Sequence, residues 1–349
     1  MPQPLRVGIA GAGWVAADRH VPVLLSTEGV RIVAIYDRYR DRAARLGERI
    51  PKGEAEVPCF DDLGSFLAED LDIVHVTSSP QSHHDISIAA LGSGAHVFTE
   101  KPMAMTPYEA EAMALEARRR SRLLCVSHNF LSSSSMQAAR RRIGNERIDY
   151  VSGFQLSSYR RRLPKWYGDL PGGLMFDEIP HMVYSIGALL EGPLALDHAR
   201  ATFDEAHHPE TVEVLLRGPS GNGQITMVFC SPVSEWHIMT SSRAGIVGVD
   251  LFRDIMTHVR PDGAHGSADI ARSSMSAIGG HVSGFARAGA RWALKRQFWG
   301  HDRLIHEFID AVRTGKDSPV SLDDALGVVG FTQQLLESLG LDIVSKDHA

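Results

Sequence analysis

Along the first third of the chain, short continuous apolar runs alternate with stretches whose apolar positions recur at helical spacing. Residues 5 to 10 make a run short enough for a buried strand, residues 14 to 26 read as a helix, and RIVAIYD, from Arg31 to Asp37, reads as a second strand. Strand, helix, strand in that order is a βαβ unit, whose strands run parallel. The pattern repeats: DIVHVTSS from Asp72 is a strand, Pro80 precedes a helix to about Leu91, and AHVFTEKP is a strand ending at Glu100, Lys101 and Pro102. The TPYE stretch then supplies Thr106 as N-cap, Pro107 at the first helical position and Glu109 to close a capping box. That helix ends in Arg118, Arg119 and Arg120, which suit its negative pole and read as a solvated end.

From about Val126 the period changes from helical to alternating. IDYVSGFQLSSY, ALDHARATFD, TVEVLLRG, GQITMVFC and GIVGVDLF are β-rich stretches separated by turn signals, and they predict an open, largely antiparallel sheet. A chain of 349 residues exceeds what one core usually organises. The expected division is a doubly wound parallel domain over residues 1–124 and an α+β domain with a mostly antiparallel open sheet over 125–349. Further on, residues 268–298 place Arg287, Arg291 and Lys295 at four-residue spacing opposite apolar positions. This is an amphipathic helix, either a lid or subunit-contact helix or one that lies on a membrane surface. Ser321 caps a last helix that ends near Leu339.

Composition narrows the chemistry. A net charge of -6 gives no basic surplus for binding phosphate backbones, so nucleic acid is not an expected partner. No apolar run approaches the roughly 20 residues of a membrane span, no signal peptide is apparent, and a cytoplasmic location is expected. Cys59, Cys125 and Cys230 are odd in number and widely separated, which predicts reduced thiols. The histidines show neither HExxH nor another ligand spacing, so no metal is expected.

Gly11, Gly13 and Ala16 stand at the three positions of G-x-G-x-x-G/A between the first strand and its helix. The first glycine allows the tight turn, the second lets a pyrophosphate approach the backbone, and the small third residue lets the helix pack. With Trp14 and Val15 between them, these residues open a helix whose first N–H groups attract phosphate. Asp37 ends the second strand, where a carboxylate accepts from ribose hydroxyls and repels a 2′-phosphate. Arg38 could instead stack on adenine or pair with such a phosphate, so NAD is expected with NADP open.

The order GxGxxA, Asp37, SPQSHH, EKP and GGLMFDEIPH resembles the Gfo/Idh/MocA oxidoreductases, named for glucose–fructose oxidoreductase and inositol dehydrogenase, and the likeness runs over nearly the whole chain. The resemblance implies that Lys101 contacts substrate and cofactor and that Asp177 and His181 position the substrate and supply the base. It also places Ser79, Pro80, His84 and Glu100 near the cofactor and Asn129 near the substrate, and it implies a homodimer or homotetramer through the second sheet. Three positions depart from the pattern: Ile179 replaces a glycine, Pro180 precedes the histidine, and Tyr184 stands where an aspartate is frequent.

Asp177 and His181 are four apart, which stacks them on one face of a helix expected to begin near Asp177, since Pro180 is harmless only in a first turn. Oxidising an alcohol requires a proton acceptor for the O–H and a cation for the developing alkoxide. An imidazole near neutrality and the Lys101 ammonium suit those tasks. Upstream, Arg160, Arg161 and Arg162 with Trp166 and Tyr167 either clamp an anionic part of the substrate or form a solvated strand end. The leading expectation is an NAD(P)-dependent dehydrogenase of a sugar or cyclitol ring hydroxyl. Two others stay open: an enzyme that recycles a tightly held cofactor, and a dinucleotide-binding regulator without activity.

Overall fold

The structure, a computed structural model, describes residues 3–51, 56–158, 164–262, 266–294 and 299–341. It contains two compact units. The first comprises residues 1–128 and 301–329, and the second 129–300 and 330–349.

In the first unit six strands form one parallel sheet. They are β1 (Leu5–Ala10), β2 (Val30–Tyr36), β3 (Cys59–Phe60), β4 (Ile73–Val76), β5 (His96–Thr99) and β6 (Leu124–Val126). Their order, β3-β2-β1-β4-β5-β6, reverses direction between β1 and β4, which is where a doubly wound sheet opens a crevice for ligands. The helices are α1 (Val21–Ser26), α2 (Arg40–Gly47), α3 (Leu63–Leu67), α4 (His83–Gly92) and α5 (Pro107–Arg120). A π-helical turn, Ala16–His20, leads into α1. Thr106 caps α5 through the Glu109 N–H, and the Glu109 carboxylate accepts from Met105 N–H, one residue earlier than an ordinary capping box.

The second unit begins with α6 (Ser134–Ile143), and α7 (Leu174–Leu189) and α8 (Ser267–Ala293) follow later. Its strands are β7 (Ile148–Ser158), β8 (Ala195–Phe203), β9 (Pro209–Gly218), β10 (Gly221–Ser231), β11 (Glu235–Ser242), β12 (Gly245–Asp250) and β13 (Ile255–Val259). They lie in the order β13-β12-β11-β7-β10-β9-β8, and β7 with β10 is the parallel pair in an otherwise antiparallel ladder. Burial alternates along the central strands. Val151, Val212, Val214, Ile225, Ile238 and Val247 are buried, while Tyr150, Phe154, Leu215, Met239 and Ile246 are exposed on the other face. The buried face receives α7, whose Ile186 and Met182 reach Gly153.

Three features differ from the sequence-based expectation. The chain returns to the first unit through α9 (His301–Thr314) and the start of α10 (Leu322–Ser338), because Phe308 packs on Phe98 at 5.5 Å and Ala325 and Val329 join the core around Val76 and Val126. The strands β3, β6, β11 and β13 are additional: β3 and β6 are only two and three residues long, and the inward Thr240 and outward Met239 blur the apolar alternation of β11. Finally, α7 begins at Leu174 rather than near Asp177. Gly172 and Gly173, at φ +67° and +59°, turn the chain into it, so Pro180 lies in its second turn and cannot donate to the Phe176 carbonyl.

Candidate active site

The glycine turn after β1 is built by its backbone. Gly11 sits at φ +105°, and a Cβ there would lie 2.4 Å from Ser78 N, so the turn presses against the end of β4. Gly13 is different. A Cβ on it would meet only the Thr77 carbonyl at 3.9 Å, so nothing among the described residues demands a glycine there. Ala16 is fully buried, as helix packing against the sheet requires, while Trp14 is exposed beneath the Arg19 guanidinium and Val15 is intermediate. The N–H groups of a helix's first turn have no intrahelical acceptor, so this turn offers donors to an anion.

Asp37 is buried and shaped by the same turn: Oδ2 accepts from Ala12 N–H and Oδ1 from Tyr39 N–H, both at 2.9 Å. Each carboxylate oxygen can accept again, which leaves capacity for a ribose diol. Arg38 lies 5.0 Å over the Tyr39 ring, as does Arg42 at 4.7 Å. These residues fit a dinucleotide.

Ser79 precedes the buried Pro80, which starts a short 3-10 turn into α4. His84 is partly exposed and bonds Asp85 at 2.8 Å. Its neighbour does the structural work that the sequence had not singled out. Fully buried His83 places Nδ1 2.8 Å from the Pro102 carbonyl and Nε2 3.1 Å from that of Ser78, tying the segment of Lys101 to the end of β4. Its signal in the sequence was the doubled histidine. Glu100 is also buried, and its Oε1 lies 2.9 Å from His20 Nε2. Burial alone would raise its pKa, but hydrogen bonds from His20 and His301 outweigh that and hold the carboxyl well below its usual range. The Glu100 side chain, expected at the cofactor, is thus engaged within the protein's interior.

In the second unit, Asp177 and His181 share one face of α7, and both are buried. Asp177 Oδ2 accepts from the Tyr167 hydroxyl at 3.1 Å, and Tyr167 stacks on Trp166 with centroids 4.1 Å apart. Phe130 and Trp236 flank the His181 ring at 5.0 and 5.2 Å. The neighbouring Glu178 is spent on the sheet, accepting from Gln155 Nε2 at 2.5 Å and from the Ser157 hydroxyl on β7. Arg160, Arg161 and Arg162 lie outside the described residues. Arg291 on α8 pairs with buried Asp254 at 2.6 Å.

Residues 5–128 match the sequence profile of an oxidoreductase family with an NAD-binding Rossmann fold. That profile is the one of the Gfo/Idh/MocA oxidoreductases. D-glucoside 3-dehydrogenase of Escherichia coli K12 is 34% identical over 165 residues, which cover 47% of this chain and 46% of that protein. Inositol 2-dehydrogenase of Salmonella typhimurium is 28% identical over 128 residues, covering 36% of this chain and 37% of the relative. The matched stretches thus span less than half the length of either. In fold the likeness is broader: GenD2 of gentamicin A biosynthesis, solved with NAD, superposes with a TM-score of 0.76 at 20% identity over 97% of this chain and 94% of its own.

Against the Gfo/Idh/MocA pattern, the departure at Tyr184 is the informative one. Its hydroxyl lies 2.7 Å from His181 Nδ1 and 3.2 Å from Asn129 Oδ1, and it accepts from Phe130 N–H at 3.3 Å. The Asn129 amide is oriented by Nδ2, which donates to the Trp299 carbonyl at 2.9 Å, so Oδ1 is the atom facing the tyrosine. The arrangement these contacts suit is Tyr184 donating to Asn129 Oδ1 and His181 Nδ1 donating to the phenol oxygen. That tautomer puts the imidazole lone pair on Nε2. Asn129, expected as a substrate contact, is held here by the Trp299 carbonyl and Tyr184.

Proposed function

We propose that this protein is an NAD(P)-dependent oxidoreductase that interconverts a ring hydroxyl and ketone of a sugar or cyclitol. The observation that supports the reading is His181, a buried imidazole on one helical face with Asp177 and held at Nδ1 by Tyr184. When bound, the nicotinamide would accept the hydride from the substrate carbon. Gly11, Gly13 and Ala16 with the first turn beyond them would hold the pyrophosphate, and Asp37 the adenosine ribose, which favours NAD over a 2′-phosphorylated cofactor. His181 Nε2 takes the hydroxyl proton, the Lys101 ammonium stabilises the alkoxide, and Asp177, steadied by Tyr167, orients the hydroxyl. In reduction the same proton returns to the carbonyl oxygen.

The exposed residues of the second sheet, Tyr150, Phe154, Leu215, Met239 and Ile246, support a homodimer or homotetramer that covers this face. Among the described residues no helix is long and apolar enough to cross a membrane.

Turnover is read as the near-ultraviolet absorbance of reduced nicotinamide across a panel of sugars and cyclitols. His181→Ala and Lys101→Ala are each expected to lose on the order of 10²–10⁴ in kcat while retaining cofactor. Cofactor binding without turnover on any panel member, or variants that turn over normally, overturns the reading.

A further inference from the structure

Two groups of metal-ligating side chains come together among the described residues. One, Glu235 with His237 and Asp250, is already neutralised by Arg253, which reaches Glu235 at 2.5 Å and Asp250 at 2.6 Å. The other is His20, Glu100 and His301 of the first unit. Their donor atoms lie within 4.8 Å of one another, and their side chains are 0%, 9% and 11% exposed. Here the carboxylate has imidazoles, not a guanidinium or ammonium, as its side-chain partners.

The geometry points to a site for one divalent transition ion of the zinc class, held by His20 Nε2, His301 Nε2 and Glu100 Oε1. Ligand atoms about 2.0–2.2 Å from a tetrahedral ion stand about 3.3–3.5 Å apart. The separations of 2.9 Å from Glu100 to His20 and 3.5 Å from Glu100 to His301 bracket that range. Imidazole and carboxylate together suit zinc or cobalt better than magnesium or calcium, which take oxygen ligands.

The surrounding groups also suit an ion. A metal-bound histidine usually donates its other N–H to a neighbour that fixes the ring. His20 Nδ1 lies 2.8 Å from His75 Nδ1, in the fully buried interior. Without an ion, His20 gives its proton to Glu100 and accepts from His75 Nδ1. With an ion on His20 Nε2, the His20 proton sits on Nδ1 and is donated to His75, whose own proton moves to the buried Nε2, an atom with no hydrogen-bond partner among the described residues in either state. Each ring keeps one proton throughout, so binding requires no net proton release from this pair. The ion would join the turn after the glycine loop, the segment preceding Lys101 and the first residue of α9. These donors are drawn from three distant stretches of sequence, which is why no ligand spacing revealed them.

The test uses the full-length protein, free of any affinity tag, stripped with a chelator and titrated with Co²⁺. One equivalent per chain, with visible d–d absorption and a raised Tm, is the expected result. His301→Gln keeps a donor toward Glu100 but supplies a poor ligand. It should fold with an unchanged circular dichroism spectrum and lose the absorption. Glu100→Gln provides a second, independent loss. The inference falls if the wild type shows no stoichiometric cobalt band, or if binding survives in His301→Gln and disappears in His237→Ala. None of these readouts depends on turnover or on the hydride-transfer reading.

Discussion

The glycine turn of the first unit and the α7 residues of the second are specified in different ways. After β1 the decisive feature is bare backbone: Gly11 is forced by its φ of +105° and by Ser78, and Gly13 has open space beside it. On α7 the decisive feature is a chain of side chains, from the Trp299 carbonyl through Asn129 and Tyr184 to His181. A backbone cradle needs small residues at fixed spacing and little else, so it is written locally. A relay of side chains needs partners from several segments, each with the correct proton. The first half fails by steric exclusion, and the second by loss of orientation.

Substitutions should separate these failures. Gly11→Ala carries both a left-handed φ and a Cβ within 2.6 Å of Thr77 and Ser78 backbone, so it should destabilise the protein by about 3 kcal/mol or more, read by urea denaturation. Acid should act chiefly on buried imidazoles, of which His128 is the clearest: burial pushes its pKa down from 6.5 to about 3, against the opposing charge of Glu100. The unfolded chain therefore binds the extra proton between those values, and stability is full above pH 6.5 and falls as the pH drops. By pH 4 this group alone accounts for about 3 kcal/mol, and His128→Gln should flatten that part of the stability profile.

Tyr184→Phe leaves the Phe130 N–H and Asn129 Oδ1 without their hydroxyl partner, a loss of about 2 kcal/mol in stability. It also frees His181 to change tautomer, so kcat should fall about tenfold or more and its pH profile should shift while cofactor affinity holds. Gly13→Ala is the smallest in stability, within about 0.5 kcal/mol of wild type, yet it should weaken NAD binding measured by calorimetry. Equal destabilisation by the two glycine substitutions would erase the contrast between them.

Local signals account for what could be read in advance. The parallel sheet, the glycine turn, Asp37 and the Thr106 cap follow from spacing within a few residues, whereas the Asp177–His181 pair was marked by the family resemblance. Residues that act across long separations were hidden. His83 is fixed by carbonyls at 78 and 102, Glu100 by histidines at 20 and 301, and Tyr184 by residues 129 and 130. The resemblance drew attention to His84 and Glu100, while the contacts of neighbouring His83 with the Ser78 and Pro102 carbonyls and of Glu100 with His20 and His301 lay beyond it. Pro180 misled for a related reason. A proline in a second turn is unfavourable alone, and tertiary burial of the whole α7 segment overrides that preference.

The return of residues 301–329 to the first unit has a consequence for how the molecule is made. During vectorial synthesis, Phe98 and Glu100 leave the ribosome some two hundred residues before Phe308 and His301 arrive to cover them. The nascent first unit therefore waits, with an apolar flank and an ionised carboxylate uncovered, while the second unit is translated. A chaperone that engages this stretch would bind before residue 301 emerges and depart soon after.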